Sequence, residues 1–255
     1  MPRQAREKSS SGIYHIMLRG INRQDIFNDE EDNLKFIETL KKYKDICGYQ
    51  IYGYCLMSNH IHLLLKEGAE TISQIMKRIG ASYVYWYNMK YERYGPLFQD
   101  RYKSEKVEDD KYFLAALRYI HQNPIKAGMV KKLENYKWSS YGEYISQRDI
   151  LTEVEYVLNI LNSDRNKAIK TFKKYMEEEN KDKCLDNEIK ERKRVTDEEA
   201  KRLIKELIKS DNPQKIQQMD KKVRDEIVRN LKEKDISIRQ LARITGIGRR
   251  VIEKA

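Results

Sequence analysis

The run YQIYGYCLMSNHIHLLLK, residues 49–66, decides how the first half of the chain is read. Its two β-rich pieces, Tyr49–Met57 and His60–Lys66, are separated only by Ser58-Asn59, a hairpin signature. Side chains alternate faces along a strand, so His60 and His62 project to one side while Ile61, Leu63 and Leu65 project to the other. A rise of ~3.3 Å per residue sets the two imidazoles about 7 Å apart along the strand, where they can converge on one cation. Two histidines are too few for a closed zinc site, so a third ligand has to come from elsewhere and open positions remain for substrate. The bland alternative is a pair of hydrogen-bonded histidines on a sheet face.

Outward from this hairpin the pattern is regular. Residues 13–18 (IYHIML) read as a strand, followed by the loop Arg19-Gly20-Ile21-Asn22-Arg23. From Asp29 to about Gly48, Leu34, Ile37, Leu40, Tyr43, Ile46 and Cys47 recur at helical spacing. A second helix is expected over about Thr71–Tyr91, a fourth strand over Arg101–Val107, and a third helix over Asp109–His121, closed by Asn123-Pro124. The order β-α-β-β-α-β-α is that of a ferredoxin-like antiparallel sheet, an α+β fold. Residues 131–150 read as a packed tail of this domain, which gives a first domain over 1–150. A charged helical connector is expected over 151–194, its most polar part at 181–194, and an all-α region over 195–255.

Composition narrows the partners. The 255 residues are 40% hydrophobic and 36% charged, with net charge +11 and a pI near 9.3, which favours a polyanionic partner. Residues 181–255 hold 22 basic against 15 acidic residues, so +7 of the charge lies in under a third of the chain. Eighteen tyrosines against five phenylalanines offer flat faces for base stacking, although most fit amphipathic core-edge positions. At helical spacing Tyr83, Trp86, Tyr87 and Tyr94 mark one apolar stripe, read as core or interface. Cys47, Cys55 and Cys184 form neither a disulfide framework nor a zinc spacing, which points to a reducing cytosol. No apolar run reaches membrane-spanning length and the polar start lacks a signal-peptide core, so a cytoplasmic, nucleoid-associated protein is expected.

On the third helix Tyr119 and Asn123 are four apart and share a face with Ala115 and Ala116, while Phe113, Leu114 and Leu117 lie opposite. An Asn oxygen beside a tyrosine hydroxyl would complete an oxygen-and-imidazole site suited to Mg²⁺ or Mn²⁺. Alone, Tyr119 is one packed tyrosine among many.

Five segments change that weighting: YHIMLRGINR with IF (Tyr14–Arg23, Ile26-Phe27), GYCLMSNHIHLLL (Gly53–Leu65), GPLFQDRYKS (Gly95–Ser104), RYIHQNPIKAGMV (Arg118–Val130) and WSSYGEY (Trp138–Tyr144). In these, spanning about residues 12–146, the chain resembles the REP-associated tyrosine transposases, relatives of the single-tyrosine insertion-sequence transposases within the HUH endonucleases. The resemblance implies a metal pair at His60 and His62, a nucleophile at Tyr119 and a further metal-site residue at Asn123. It also implies a DNA transposase that cuts and rejoins single-stranded or hairpin DNA through a 5′-phosphotyrosine link, as monomer or homodimer. His15 and His121 have no metal role in the family pattern and read as structural or DNA-contacting. The rival from another class is a non-catalytic DNA-binding regulator; a hydrolytic nuclease is a third reading.

Basic residues flank this expected site. Arg19 and Arg23 follow the first strand, Arg101 and Lys103 fall on the fourth, and Lys126 follows the tyrosine helix, all candidate phosphate contacts. Near the C-terminus, Ser237-Ile238-Arg239-Gln240 has the form of a capping box, and Thr245-Gly246-Ile247 that of a tight turn. Together they suggest a helix-turn-helix at about 223–255, with Arg249 and Arg250 opening the helix that would meet flanking duplex DNA. A basic helical bundle for protein contacts is the alternative.

Overall fold

The structure, a computed structural model, describes residues 7–146, 150–179, 184, 195, 197–210, 212–234 and 236–255. Apart from Cys184, the polar connector expected at 181–194 lies outside the described residues. The chain divides into two compact units, Met1–Asn187 and Glu188–Ala255.

The first unit is built on four antiparallel strands, β1 (Ile13–Arg19), β2 (Gln50–Met57), β3 (His60–Lys66) and β4 (Lys103–Val107), in the order β2-β3-β1-β4. That order, with a helix after β1 and another after β3, is the ferredoxin-like arrangement expected from the sequence. Helices α1 (Glu30–Cys47) and α2 (Ile72–Lys90) cover one face. The sequence places α1 sharply: Asp29 accepts from the Asp32 N–H and Asp32 reaches back, while Gly48 ends the helix in the left-handed region at φ 67°. Tyr14, Ile16 and Leu18 of β1 and Ile61, Leu63 and Leu65 of β3 fill the core on this side. The alternation read from the hairpin therefore holds.

The opposite face carries α3 (Asp110–Lys126), α4 (Tyr141–Ser146), α5 (Val154–Leu161) and α6 (Arg165–Glu177). Val154, Val157, Leu158, Ala168, Phe172 and Met176 pack in one core with Phe113, Ala116, Leu117 and Ile120. The buried Glu143 carboxylate anchors the approach, accepting from the Tyr54 hydroxyl, the Leu151 and Thr152 N–H groups and the Thr152 hydroxyl. The expected division at about residue 150 is thereby corrected: 154–177 complete the first unit instead of connecting it to another. Their charged texture belongs to the outer face of helices whose inner face is apolar.

Two boundaries also move, and one apolar stripe shortens. Strand β4 begins at Lys103, leaving Arg101 in the preceding bend. Helix α2 ends at Lys90, so Tyr94 leaves the apolar stripe and is 98% exposed, whereas Tyr83 and Tyr87 are buried. Helix α3 runs through Pro124, because Ile120 and Gln122 are held in place; the Gln122 amide donates to the carbonyls of Met176 and Glu178. Packing outweighs the local preference against helix before a proline.

The second unit comprises α7 (Asp197–Ile208), α8 (Lys221–Glu233), α9 (Ile238–Thr245) and α10 (Arg249–Lys254) around a core that includes Ala200, Ile204, Val228, Leu231, Leu241 and Ile252. Ser237 caps α9 by accepting from the Gln240 N–H, but the Gln240 side chain donates to the Val195 carbonyl and Asp197 instead of closing the box. Gly246 turns the chain at φ 73° between α9 and α10. None of the described helices is long and apolar enough to cross a membrane.

Candidate functional site

Helix α3 packs across the sheet face that bears His60 and His62. It can approach because β2 carries Gly53 beneath it: a Cβ there would lie 2.4 Å from Leu117 Cδ1. Register completes the placement. Antiparallel pairing sets Arg19 opposite His60, Met17 opposite His62 and Lys103 opposite Met17, so all five share one face near the end of the sheet.

Three rings meet over this surface. His62, fully buried, has its centroid 5.6 Å from that of Tyr119 and 5.1 Å from that of His60. His15 joins them from β1, its Nε2 3.0 Å from His62 Nδ1 and its ring 5.8 Å from Tyr119. On the other side of the pair, His60 Nδ1 lies 2.6 Å from Asn59 Oδ1. Tyr119 is 6% exposed. One helical turn later the Asn123 amide nitrogen donates to the Tyr119 carbonyl at 2.9 Å, so Asn123 offers Oδ1 as its acceptor atom. Lys126 ends the helix with Nζ 4.9 Å from the centre of the Tyr119 ring.

The two imidazoles can serve as donors to a divalent cation. Both imidazoles have Nδ1 engaged by a neighbour, so Nε2 is the nitrogen through which each would reach a metal. Among the described residues no cluster of three or more His, Cys, Asp or Glu forms a closed cage. A cation here would rest on two imidazoles and leave its other positions to oxygens.

Of the remaining candidates, Arg19 lies over the same face, its guanidinium 3.7 Å from Met17 Sδ, and Lys103 is exposed beside it. Arg23 is exposed in the loop after β1, in left-handed backbone at φ 61°, and its carbonyl accepts from Asn59. Arg101 is exposed in the bend before β4, its N–H bonded to Asp100. Arg249 and Arg250 are exposed at the start of α10 in the second unit.

His121 points into the core of α3–α6, with Nε2 2.8 Å from Ser140 Oγ and its ring against Tyr141, Tyr144 and Phe172. Burial pushes its pKa down to about 3, so it is the neutral imidazole at neutral pH. Tyr112, the neighbouring tyrosine on α3, is held protonated by burial and by Glu105 and Cys184. Sequence reasoning missed His15 and Asn59 as parts of the site. The signal for His15 was its position opposite in parity to Tyr14, Ile16 and Leu18; Asn59 was hidden by its fitness as a turn residue.

Residues 8–123 match the family model of IS200-like transposases. A Haemophilus influenzae protein described as a REP-associated tyrosine transposase is 24% identical over 126 residues, covering 44% of this chain and 69% of its own length. A solved structure of a REP-associated tyrosine transposase bound to a REP hairpin is 18% identical, covers 59% of this chain and 88% of its own, and superposes with a TM-score of 0.49.

Proposed function

From the match of residues 8–123 to the family model of IS200-like transposases, we propose that this chain cleaves and rejoins single-stranded DNA at hairpin-forming repeats. In this reading Tyr119 is the nucleophile and His60, His62 and Asn123 hold Mg²⁺ or Mn²⁺. The observation that supports it most is the packing of Tyr119 against His62, itself beside His60, side chains from a helix and a strand more than fifty residues apart in sequence.

A phenol with a pKa near 10 is a weak nucleophile at neutral pH unless its anion is stabilised. A bound divalent cation would polarise the scissile phosphate and offset charge on its oxygens. Lys126, over the Tyr119 ring, adds positive charge beside the developing phenolate. Tyr119 Oη attacks phosphorus and loses its proton, the P–O3′ bond breaks, and the departing 3′-oxygen takes up a proton. The product is a 5′-phosphotyrosine and a free 3′-hydroxyl. The link conserves the phosphodiester bond energy, so a 3′-hydroxyl can reverse the attack and rejoin the strand without ATP. With one nucleophile per site, a second cleavage reuses Tyr119 or recruits a second protomer. Arg19, Arg23, Arg101, Lys103 and Lys126 are read as phosphate contacts. In the second unit, α9 and α10 are read as a helix-turn-helix whose Arg249 and Arg250 meet flanking duplex. A DNA-bound protein of this kind belongs in the cytoplasm with the nucleoid.

The test is the chemistry of the cut ends. A single-stranded hairpin substrate incubated with protein and Mn²⁺ should yield a 3′ end that a polymerase extends and a 5′ end blocked by protein. A protein-free 5′-phosphate would favour water as the nucleophile, and intact DNA held in a stable complex would favour the non-catalytic regulator.

A further inference from the structure

We propose that Asn59 and His15 are positioning residues that hold His60 and His62 with Nε2 turned toward a cation; the inference rests on reading that pair as cation ligands. The chemistry of Asn59 settles one proton. Its carboxamide has a donating end and an accepting end. The Arg23 carbonyl can only accept, so Nδ2 is the end that faces it, at 3.3 Å. Oδ1 is then the end that faces His60 Nδ1, at 2.6 Å, and Oδ1 can only accept. His60 Nδ1 therefore carries its proton. A neutral imidazole protonated there presents its lone pair at Nε2, the form a metal requires.

His62 repeats the device in a dry setting. Its Nδ1 shares one proton with His15 Nε2 across 3.0 Å, both rings being fully buried. Presenting Nε2 of His62 to a cation places that proton on His62 and makes His15 the acceptor. The two supports are anchored separately. His15 is fixed in β1, whereas Asn59 is tied to the loop after β1 through the Arg23 carbonyl and through its own carbonyl, which accepts from the Gly20 N–H at 2.9 Å. The loop that carries Arg23 and the ligand His60 thus share one side chain.

The experiment compares full-length wild type with Asn59→Ala, Asn59→Asp, His15→Leu and His15→Gln, each checked for an intact thermal transition. Mn²⁺ affinity is read by calorimetry, and the imidazole tautomers by ¹⁵N NMR of the metal-free protein. Loss of such a partner weakens metal binding by about 10–100-fold. That loss is expected in Asn59→Ala and His15→Leu. Asn59→Asp and His15→Gln keep an accepting oxygen and should restore most of the affinity. In the metal-free wild type, His60 should show the Nδ1–H tautomer, and it should become a mixture in Asn59→Ala. Wild type that binds no Mn²⁺ would overturn the ligand reading itself. Wild type that binds, with Asn59→Ala and His15→Leu binding equally well and tautomers unchanged, would overturn the positioning role alone.

Discussion

That His60 and His62 share one face of the sheet was legible from the sequence because alternation along a strand is a local rule. Their partners were not, because the contact of His15 with His62 depends on the register of β1 against β3. That Asn123 lies one helical turn beyond Tyr119 was legible, and its side-chain amide donates to the Tyr119 carbonyl. If these three side chains hold the cation, His60→Ala or His62→Ala should abolish Mn²⁺-dependent cleavage, since the ligands that remain are too few for a hydrated hard ion. Asn123→Ala should cost less, because water can replace one oxygen ligand, and Asn123→Asp should keep activity with an altered metal preference. Cleavage rates across a Mg²⁺ and Mn²⁺ titration check both. His121 yields a prediction of another kind. An unfolded chain protonates it below its ordinary pKa of 6.5, whereas the folded protein excludes the proton until about 3. Stability is therefore drained as pH falls through that window, at up to about 1.4 kcal/mol per pH unit, and is untouched above it. Urea melts at several pH values should show a shallower acid decline in His121→Asn than in wild type, even though the variant starts less stable.

Helix α3 is the element on which the site depends, and its height above the sheet is set by a glycine. Alanine at Gly53 would place a methyl group 2.4 Å from Leu117 Cδ1, and Leu117 is fully buried, with nowhere to retreat. Gly53→Ala should cost about 1–3 kcal/mol of stability by urea melt. It should also depress cleavage, because the rest of α3, Tyr119 included, must shift with Leu117. Adding Leu117→Ala should recover part of the activity, and full activity in Gly53→Ala alone would show that α3 has slack. The helix was visible in the sequence, but its end was misplaced at Pro124, where contacts made by Gln122 to residues 176 and 178 override the local rule. Helices α5 and α6 were misread for a related reason. Their apolar positions are helically spaced, yet the surface that buries them lies tens of residues earlier in the chain.

At the scale of the whole chain, the sheet order was legible and the division into units was not. Ending the protein near residue 150 would remove Val154, Val157, Leu158, Phe172 and Met176 from the core beneath α3, so that truncation should fail to fold stably. Ending it at Asn187 respects the compact unit and should preserve cleavage of a short hairpin. If α9 and α10 read duplex DNA, this shorter protein should bind flanking duplex more weakly and with a shallower salt dependence. Replacing Arg249 and Arg250 by Ala should reproduce that loss without altering cleavage; unaltered duplex affinity would favour the helical bundle as a protein-contact module. The central claim, that Tyr119 itself becomes joined to DNA, is tested most directly by finding the nucleotide on the protein. Full-length protein is incubated with Mn²⁺ and hairpin DNA, denatured, treated with nuclease and trypsin, and examined by mass spectrometry. The peptide Tyr119–Lys126 contains a single tyrosine. It should carry the nucleotide mass in wild type, and Tyr119→Phe should yield no adduct while binding the DNA nearly as well. An adduct on another tyrosine, or one of normal yield in Tyr119→Phe, would contradict the account.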